Sequence, residues 1–172
     1  MVTRYHIALL LTRSGQFEAA LEVLMKLAEQ GIEGPDFVEA AGLAALRKPL
    51  LPKELPPMER ELVLQVGHAV TDTGARRAAE AQKKFEDLLA RHPKTPHLHY
   101  LFGSFLLTSN PDAGLHELKK ELELCKQKAP GSPQTRFALA SAYAKAGRKG
   151  DAARERIEFL KLEQLTKKPE EP

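Results

Sequence analysis

Six histidines are the side chains best suited to hold a metal ion, and three of them fall within HPKTPHLHY, residues 92–100. A metal site needs two or three such ligands converging from one side, usually with a carboxylate. His97 and His99 are two residues apart and would diverge by about 200° on a helix. The pattern therefore predicts no metal site, and we expect His99 to pack against the protein interior.

Nucleophilic catalysis has one candidate, the single cysteine Cys125. It falls on the inward face of a predicted helix, where a thiol behaves as a small hydrophobic group. The serines lack a Gly-x-Ser-x-Gly setting, and the glycines form no phosphate-binding loop. We therefore expect a protein that is not an enzyme and that uses no cofactor.

The composition favours helices as the elements that position these side chains. Leu and Ala supply 50 of the 172 residues, whereas the strand-favouring Val and Ile supply only 9. Twenty-six basic and 23 acidic residues leave a net charge of +3, too close to balance to indicate nucleic-acid binding. Because no apolar run reaches the length of a membrane span and no signal peptide is visible, we expect no membrane contact and a cytoplasmic location. Export stays open if residues are missing upstream.

Four segments share one rhythm of helix, short turn and helix. Each first helix has a small residue at a fixed place, which would let a neighbouring backbone approach closely: Ala8, Gly67, Gly103 and Ala140. Each second helix has a triad spaced by four and then three residues, which puts the triad on one face. These triads are Ala20, Leu24, Leu27; Ala81, Phe85, Leu88; Leu118, Leu122, Cys125; and Ala153, Ile157, Leu160.

A further first helix is predicted over residues 35–47, around Gly42. The segment that follows it, KPLLPKELPP, holds four prolines and cannot continue a helix. We interpret this stretch as a degenerate unit whose second helix is missing or replaced by a packed loop. A domain boundary here is the alternative.

The phased pattern resembles the tetratricopeptide repeat (TPR) family, in its bacterial multi-repeat type, through residues such as Gly67, Gly103, Tyr143, Ala20 and Phe85. The resemblance implies an all-α fold, a right-handed superhelical α-solenoid of antiparallel helix pairs. It implies a single array over residues 1–165, followed by a disordered tail at 166–172. The repeats would span about 1–34, 35–57 (degenerate), 58–95, 96–132 and 133–165.

The same resemblance implies that the first helices line a concave groove and that side chains at five fixed places point into it. The candidate binding residues at two of these places are Tyr5, Leu9, Leu43, Leu64, His68, Tyr100, Ser104, Phe137 and Ser141. The groove lacks the Lys and Asn set with which one subclass of the family grips a terminal carboxylate. We therefore expect a non-catalytic scaffold that binds an apolar peptide or a helix of a protein partner. The alternatives are a piece of a longer solenoid that self-associates through its ends, and an accessory domain of a larger protein.

Overall fold

The computed structural model describes residues 2–126 and 133–167, with side chains described for 3–125 and 133–165. Within these ranges the secondary structure is helical, so the expected all-α class is confirmed. The α-helices are α1 Val2–Arg13, α2 Phe17–Glu29, α3 Pro35–Ala45, α4 Pro57–Gly74, α5 Ala78–Arg91, α6 Leu98–Leu106, α7 Pro111–Lys126, α8 Pro133–Lys145 and α9 Lys149–Lys167.

Proline and glycine set many of the helix boundaries. Helices α3, α4, α7 and α8 each begin at a proline, whose fixed φ suits the first helical position and whose missing N–H has no intrahelical partner there. Gly15 and Gly147 follow α1 and α8 with φ of 79° and 73°, a left-handed conformation that costs glycine little. The chain therefore reverses direction after α1 and after α8.

The chain divides into two compact units, residues 1–97 and residues 98 onward. In unit 1, α1 packs against α2 and α4 packs against α5. In the predicted degenerate unit, a single 3-10 turn at Pro52–Glu54 stands where a second helix would be. Leu55 beside this turn is buried, and the Arg13 guanidinium binds the Glu54 carboxylate at 2.8 Å. The loop is therefore packed rather than free.

Helix α4 occupies the room that the missing second helix leaves in unit 1. It packs along α3 and also reaches α2, where a Cβ on Gly74 would lie 2.8 Å from the carbonyl oxygen of Met25. At the α3–α4 crossing, a Cβ on Gly42 would clash with the carbonyl of Val63, and a Cβ on Gly67 with that of Val38. The expected close approach at the two glycines is confirmed, and it buries α3 from Phe37 to its end.

Unit 2 packs α6 against α7, α7 against α8, and α8 against α9. Its core is built from leucines of α7 with Leu139, Ala142 and Tyr143 of α8 and Ala152 of α9. A Cβ on Gly103 would lie 2.9 Å from the Leu118 side chain, so the small residue is needed here as well.

The predicted inward triad of α9 is wrong. Ala153 is exposed, and Ile157 and Leu160 are each 54% exposed, while Ala152 and Leu162 are buried. The turn before α9 has three residues, like the turns before α2 and α5, so Ala152 takes the fourth place of its helix, as Ala20 and Ala81 do. The predicted triad is therefore out of register by one residue, about 100°. The tail predicted to be disordered over 166–172 lies outside the described residues from 168 onward, and its first two residues are still helical.

Candidate binding cleft

Unit 1 contains a cleft of about 660 Å³ between the α2–α3 loop, the start of α3, the middle of α4 and the start of α5. Its position follows from the missing second helix, because α4 lies directly against α3 and leaves the loop between α2 and α3 facing open space. Apolar side chains form much of its lining, namely Ala28, Ile32, Phe37, Val38, Leu64 and Ala75.

A chain of ion pairs forms one wall of the cleft. Asp72 is only 3% exposed, and its carboxylate accepts hydrogen bonds from Arg77 Nε at 2.8 Å and from Lys84 Nζ. Arg77 also donates to Glu33 on the α2–α3 loop, at 3.1 Å. The hydrogen bond to Asp72 raises the pKa of Arg77, with Glu33 adding to the effect. The network holds two cations and two anions beside the apolar lining.

A smaller depression of about 360 Å³ adjoins the cleft and shares its Ile32–Pro35 wall. Tyr5 of α1 lines it, with its hydroxyl donating to the Asp36 carbonyl oxygen at 3.1 Å and its ring centroid 6.4 Å from that of Phe37. Burial raises the pKa of Tyr5, and the charges of Asp36 and Glu39 raise it further. The hydroxyl therefore stays protonated at neutral pH and keeps its hydrogen bond to the Asp36 carbonyl oxygen.

Three of the five side chains predicted to line a groove in unit 1 come together around these two depressions. Leu64 and His68 line the larger one, and Tyr5 lines the smaller one. Leu9 is half-buried and lines neither of the two. Leu43 is 0% exposed, so it packs in the core and offers no surface to a partner. This differs from the expectation because α3 packs against α1, α2 and α4 and is buried from Phe37 to its end.

The predicted groove side chains of unit 2 have unequal environments. Tyr100 is half-buried and packs against the core of the unit. Phe137 is 59% exposed, with its ring centroid 5.7 Å from that of Phe159. Ser104 and Ser141 are both half-buried. A shared inner wall for these four side chains stays a prediction.

Two clusters of buried or partly buried polar groups in unit 2 are paired internally. His99 is 7% exposed, as expected for a packed side chain, and its Nδ1 lies 2.6 Å from Glu117 Oε2. Burial raises the pKa of Glu117, but hydrogen bonds from Lys120 and His99 outweigh it and the net pKa is lowered. Cys125 is partly buried, with Sγ 3.5 Å from Glu121 Oε1. Across the described ranges, no group of three or more His, Cys, Asp or Glu side chains is placed to hold a metal ion.

Sequence reasoning missed the wall of the cleft. None of Asp72, Arg77 and Lys84 was singled out as a candidate site residue. The sequence signal that could have indicated this wall is the spacing of Asp72, Arg77 and Lys84 across the α4–α5 turn. That spacing brings an acidic side chain near the end of α4 close to basic side chains before and within α5.

Two solved structures are similar to this chain over nearly its whole length. MamA AMB-1 in crystal form P212121 has a TM-score of 0.52 and 17% identity, covering 95% of this chain and 91% of that chain. MamA AMB-1 in form C2221 has a TM-score of 0.51 and 16% identity, covering 94% and 97%. MamA is a helical-repeat protein of the TPR type.

The fold of this chain is TPR-like. The expected α-solenoid class is thereby confirmed. Because the sequence identity is low, the similarity supports the fold and nothing further. No family model and no curated protein matches the sequence. None of the helices in the described part of the chain combines the length and the apolar character that crossing a membrane requires.

Proposed function

We propose that this protein is a non-catalytic scaffold that binds a segment of a partner protein, and that the cleft of unit 1 is the binding site. The observation that carries the proposal is the cleft itself, which brings Leu64 and His68 together beside an apolar lining. The TPR-like fold supports it, since stacked helix pairs offer broad, rigid surfaces at a low ordering cost.

The lining indicates the kind of segment that would fit. Phe37, Val38 and Leu64 would cover apolar side chains of the ligand, which is the main source of affinity in such clefts. The ion pairs of Asp72 with Arg77 and Lys84 provide polar groups at the wall that can fix the orientation of the ligand. We therefore propose an amphipathic peptide or helix as the ligand. The cytoplasmic location and the absence of nucleic-acid and membrane partners stay predictions.

A matched pair of leucines on α4 tests the proposal. Leu64 lines the cleft, whereas Leu62 is half-buried on the same helix and does not line it. Affinity capture from the source cells, with wild type, Leu64→Ser and Leu62→Ser, is compared with thermal melts of the same proteins. We expect wild type and Leu62→Ser to capture a partner that Leu64→Ser does not capture. The affinity of Leu64→Ser for that partner should be at least about tenfold lower.

Equal recovery of every partner by the Leu64→Ser and Leu62→Ser variants would contradict a binding role for the cleft. A third variant, His68→Ala, keeps the test informative if Leu64→Ser melts early. His68 is exposed, so its replacement should leave folding intact and weaken binding of the same partner.

A further inference from the structure

The outer face of α9 exposes three large apolar side chains. Ile157 and Leu160 are each 54% exposed and Leu165 is 63% exposed. Their spacing of three and five residues keeps them on one side of the helix. Ala152 and Leu162, which are buried, lie on the opposite side. The three apolar residues are therefore turned away from the helix against which α9 packs.

The other second helices give an internal comparison. Helices α2, α5 and α7 have the same place in the helix pairs, yet the described part of each exposes only proline, alanine, polar or charged residues. On α5, for example, the exposed charges include Glu80, Lys83 and Glu86, which are of both signs. A solvated outer face is thus the pattern in this chain, and α9 departs from it. Exposed apolar residues in a contiguous stripe are typical of an interaction surface.

Cations predominate among the exposed charges around the stripe. Between residues 149 and 165, the exposed charged residues of α9 are Lys149, Arg154, Arg156 and Lys161, of which Arg154 is paired with Asp151. The four acids are at least partly buried. Glu155 binds Arg136 at 2.8 Å, and Glu158 binds Lys161 at 2.7 Å. Arg156 makes no ion pair with any residue that the structure describes, so its charge is open to a partner.

We propose that the outer face of α9 docks an acidic amphipathic helix of a partner protein. The apolar side of that helix would cover Ile157, Leu160 and Leu165, and carboxylates on its flanks would meet Arg156 and Lys161. This surface lies in unit 2 and is independent of the cleft proposed above.

A second copy of this chain fits the surface less well. The exposed apolar residues Ile7 and Leu10 of α1 offer an apolar match, but α1 contains Arg4 and Arg13 and no acidic residue. Docking α1 on α9 would bring cations to cations. An anionic lipid surface is also a poorer fit, because the exposed stripe of α9 has no aromatic residue to lie at the interface.

The probe for the test is a fluorescent synthetic helix of about 18 residues, with leucines at helical spacing and glutamates on both flanks. A second peptide has lysine in place of every glutamate. Fluorescence anisotropy with the full chain should show saturable binding of the acidic peptide, at least about tenfold tighter than binding of the basic one. Added salt should weaken it, since the cations are at the surface.

Two variants of α9 and one control separate the outcomes. The double variant Ile157→Ser, Leu160→Ser removes most of the apolar stripe. The double variant Arg156→Glu, Lys161→Glu reverses the charge beside it. Each pair should weaken binding of the acidic peptide by about tenfold or more. The control Lys83→Glu reverses a charge on the outer face of α5 and should change nothing. All these positions are exposed, so circular-dichroism melts should stay within a few degrees of the wild type.

The proposal is overturned if both peptides bind equally, if neither binds, or if the two α9 variants bind the acidic peptide as wild type does. It is also overturned if vesicles of anionic phospholipid bind through this face while the acidic peptide fails to compete. A further overturning result is self-association in sedimentation velocity that the Ile157→Ser, Leu160→Ser variant abolishes and the acidic peptide does not inhibit.

Discussion

The two units differ in how their glycines let helices cross. In unit 1, Gly42 and Gly67 each face a backbone carbonyl of the other helix, so α3 and α4 are in backbone contact. In unit 2, the nearest neighbours of a Cβ on Gly103 are the Leu118 side chain at 2.9 Å and the Gly114 carbonyl oxygen at 3.0 Å. The first crossing is tighter, since a Cβ at either glycine of unit 1 would overlap a carbonyl oxygen. Helix α3 is buried there from Phe37 to its end, and the proposed binding cleft is lined mainly by α4, α5 and the α2–α3 loop.

The largest expected effect is at the tighter crossing. Gly67→Ala places a methyl group against the Val38 carbonyl, which only a shift of one helix can relieve, so we expect a loss of about 3 kcal/mol or more in the free energy of unfolding. Urea denaturation of the variant and the wild type measures it. Gly150→Ala is the control, because no atom lies near its Cβ position, and it should gain about 0.5 kcal/mol. Equal stabilities of the two variants would show that α3 and α4 are not in backbone contact.

A second prediction compares two leucines on α9. Leu162 is 8% exposed, so Leu162→Ala should cost about 2–3 kcal/mol of stability. Leu160 is 54% exposed, so Leu160→Ala should cost about 0.5 kcal/mol. Denaturant unfolding at one pH measures both. The reverse order would restore the inward triad that the repeat comparison assigned to this helix.

Much of the fold follows from short-range sequence signals. The small residues Gly42, Gly67 and Gly103 indicated close helix contacts, and the prolines of KPLLPKELPP indicated that no second helix follows α3. These signals are local, because a glycine needed for backbone contact or a proline that cannot continue a helix is readable from one residue and its neighbours.

The surface of the proposed site was harder to predict because it depends on how the helices pack. Leu43 occupies a groove place in the repeat pattern, yet it is buried, and the α3 sequence alone does not show this. The prediction of an inward triad on α9 was wrong for a related reason. A difference of one residue in the assumed register rotates the predicted face of a helix by about 100°. Leu64 and His68 do line the cleft that we propose as the binding site, and their role in binding stays a prediction.

A pH dependence of unit 1 is the third prediction. Burial lowers the pKa of His97 to about 4, and the charge of Arg47 adds to the effect. An unfolded histidine titrates near 6.5, so between these values only the unfolded chain takes up the proton. The contribution of neutral His97 is complete above about pH 6.5 and is lost as the pH falls toward 4. Stability at pH 5 should therefore be about 2 kcal/mol lower than at pH 7 through this group alone.

The variant His97→Asn isolates that contribution. His97 has a φ of 70°, which asparagine tolerates, so the backbone should be retained while the titration is removed. Urea unfolding of both proteins at pH 5 and pH 7 should show a smaller pH difference in the variant. The same pH difference in both proteins would mean that His97 is hydrated and titrates normally.

The smallest expected difference concerns the two aromatic residues that the repeat pattern made equivalent in unit 2. Tyr100 packs against the unit core, so Tyr100→Ala should cost about 2 kcal/mol of stability. Phe137 is 59% exposed and its ring contact is with Phe159, so Phe137→Ala should cost about 1 kcal/mol or less. Thermal melts of the two single variants, with Phe159→Ala as a reference for the ring contact, measure the difference. If Phe137→Ala lowers the melting temperature more than Tyr100→Ala does, Phe137 is a core residue of unit 2. If neither change lowers the melting temperature, both side chains are surface residues, which would support a binding groove in unit 2.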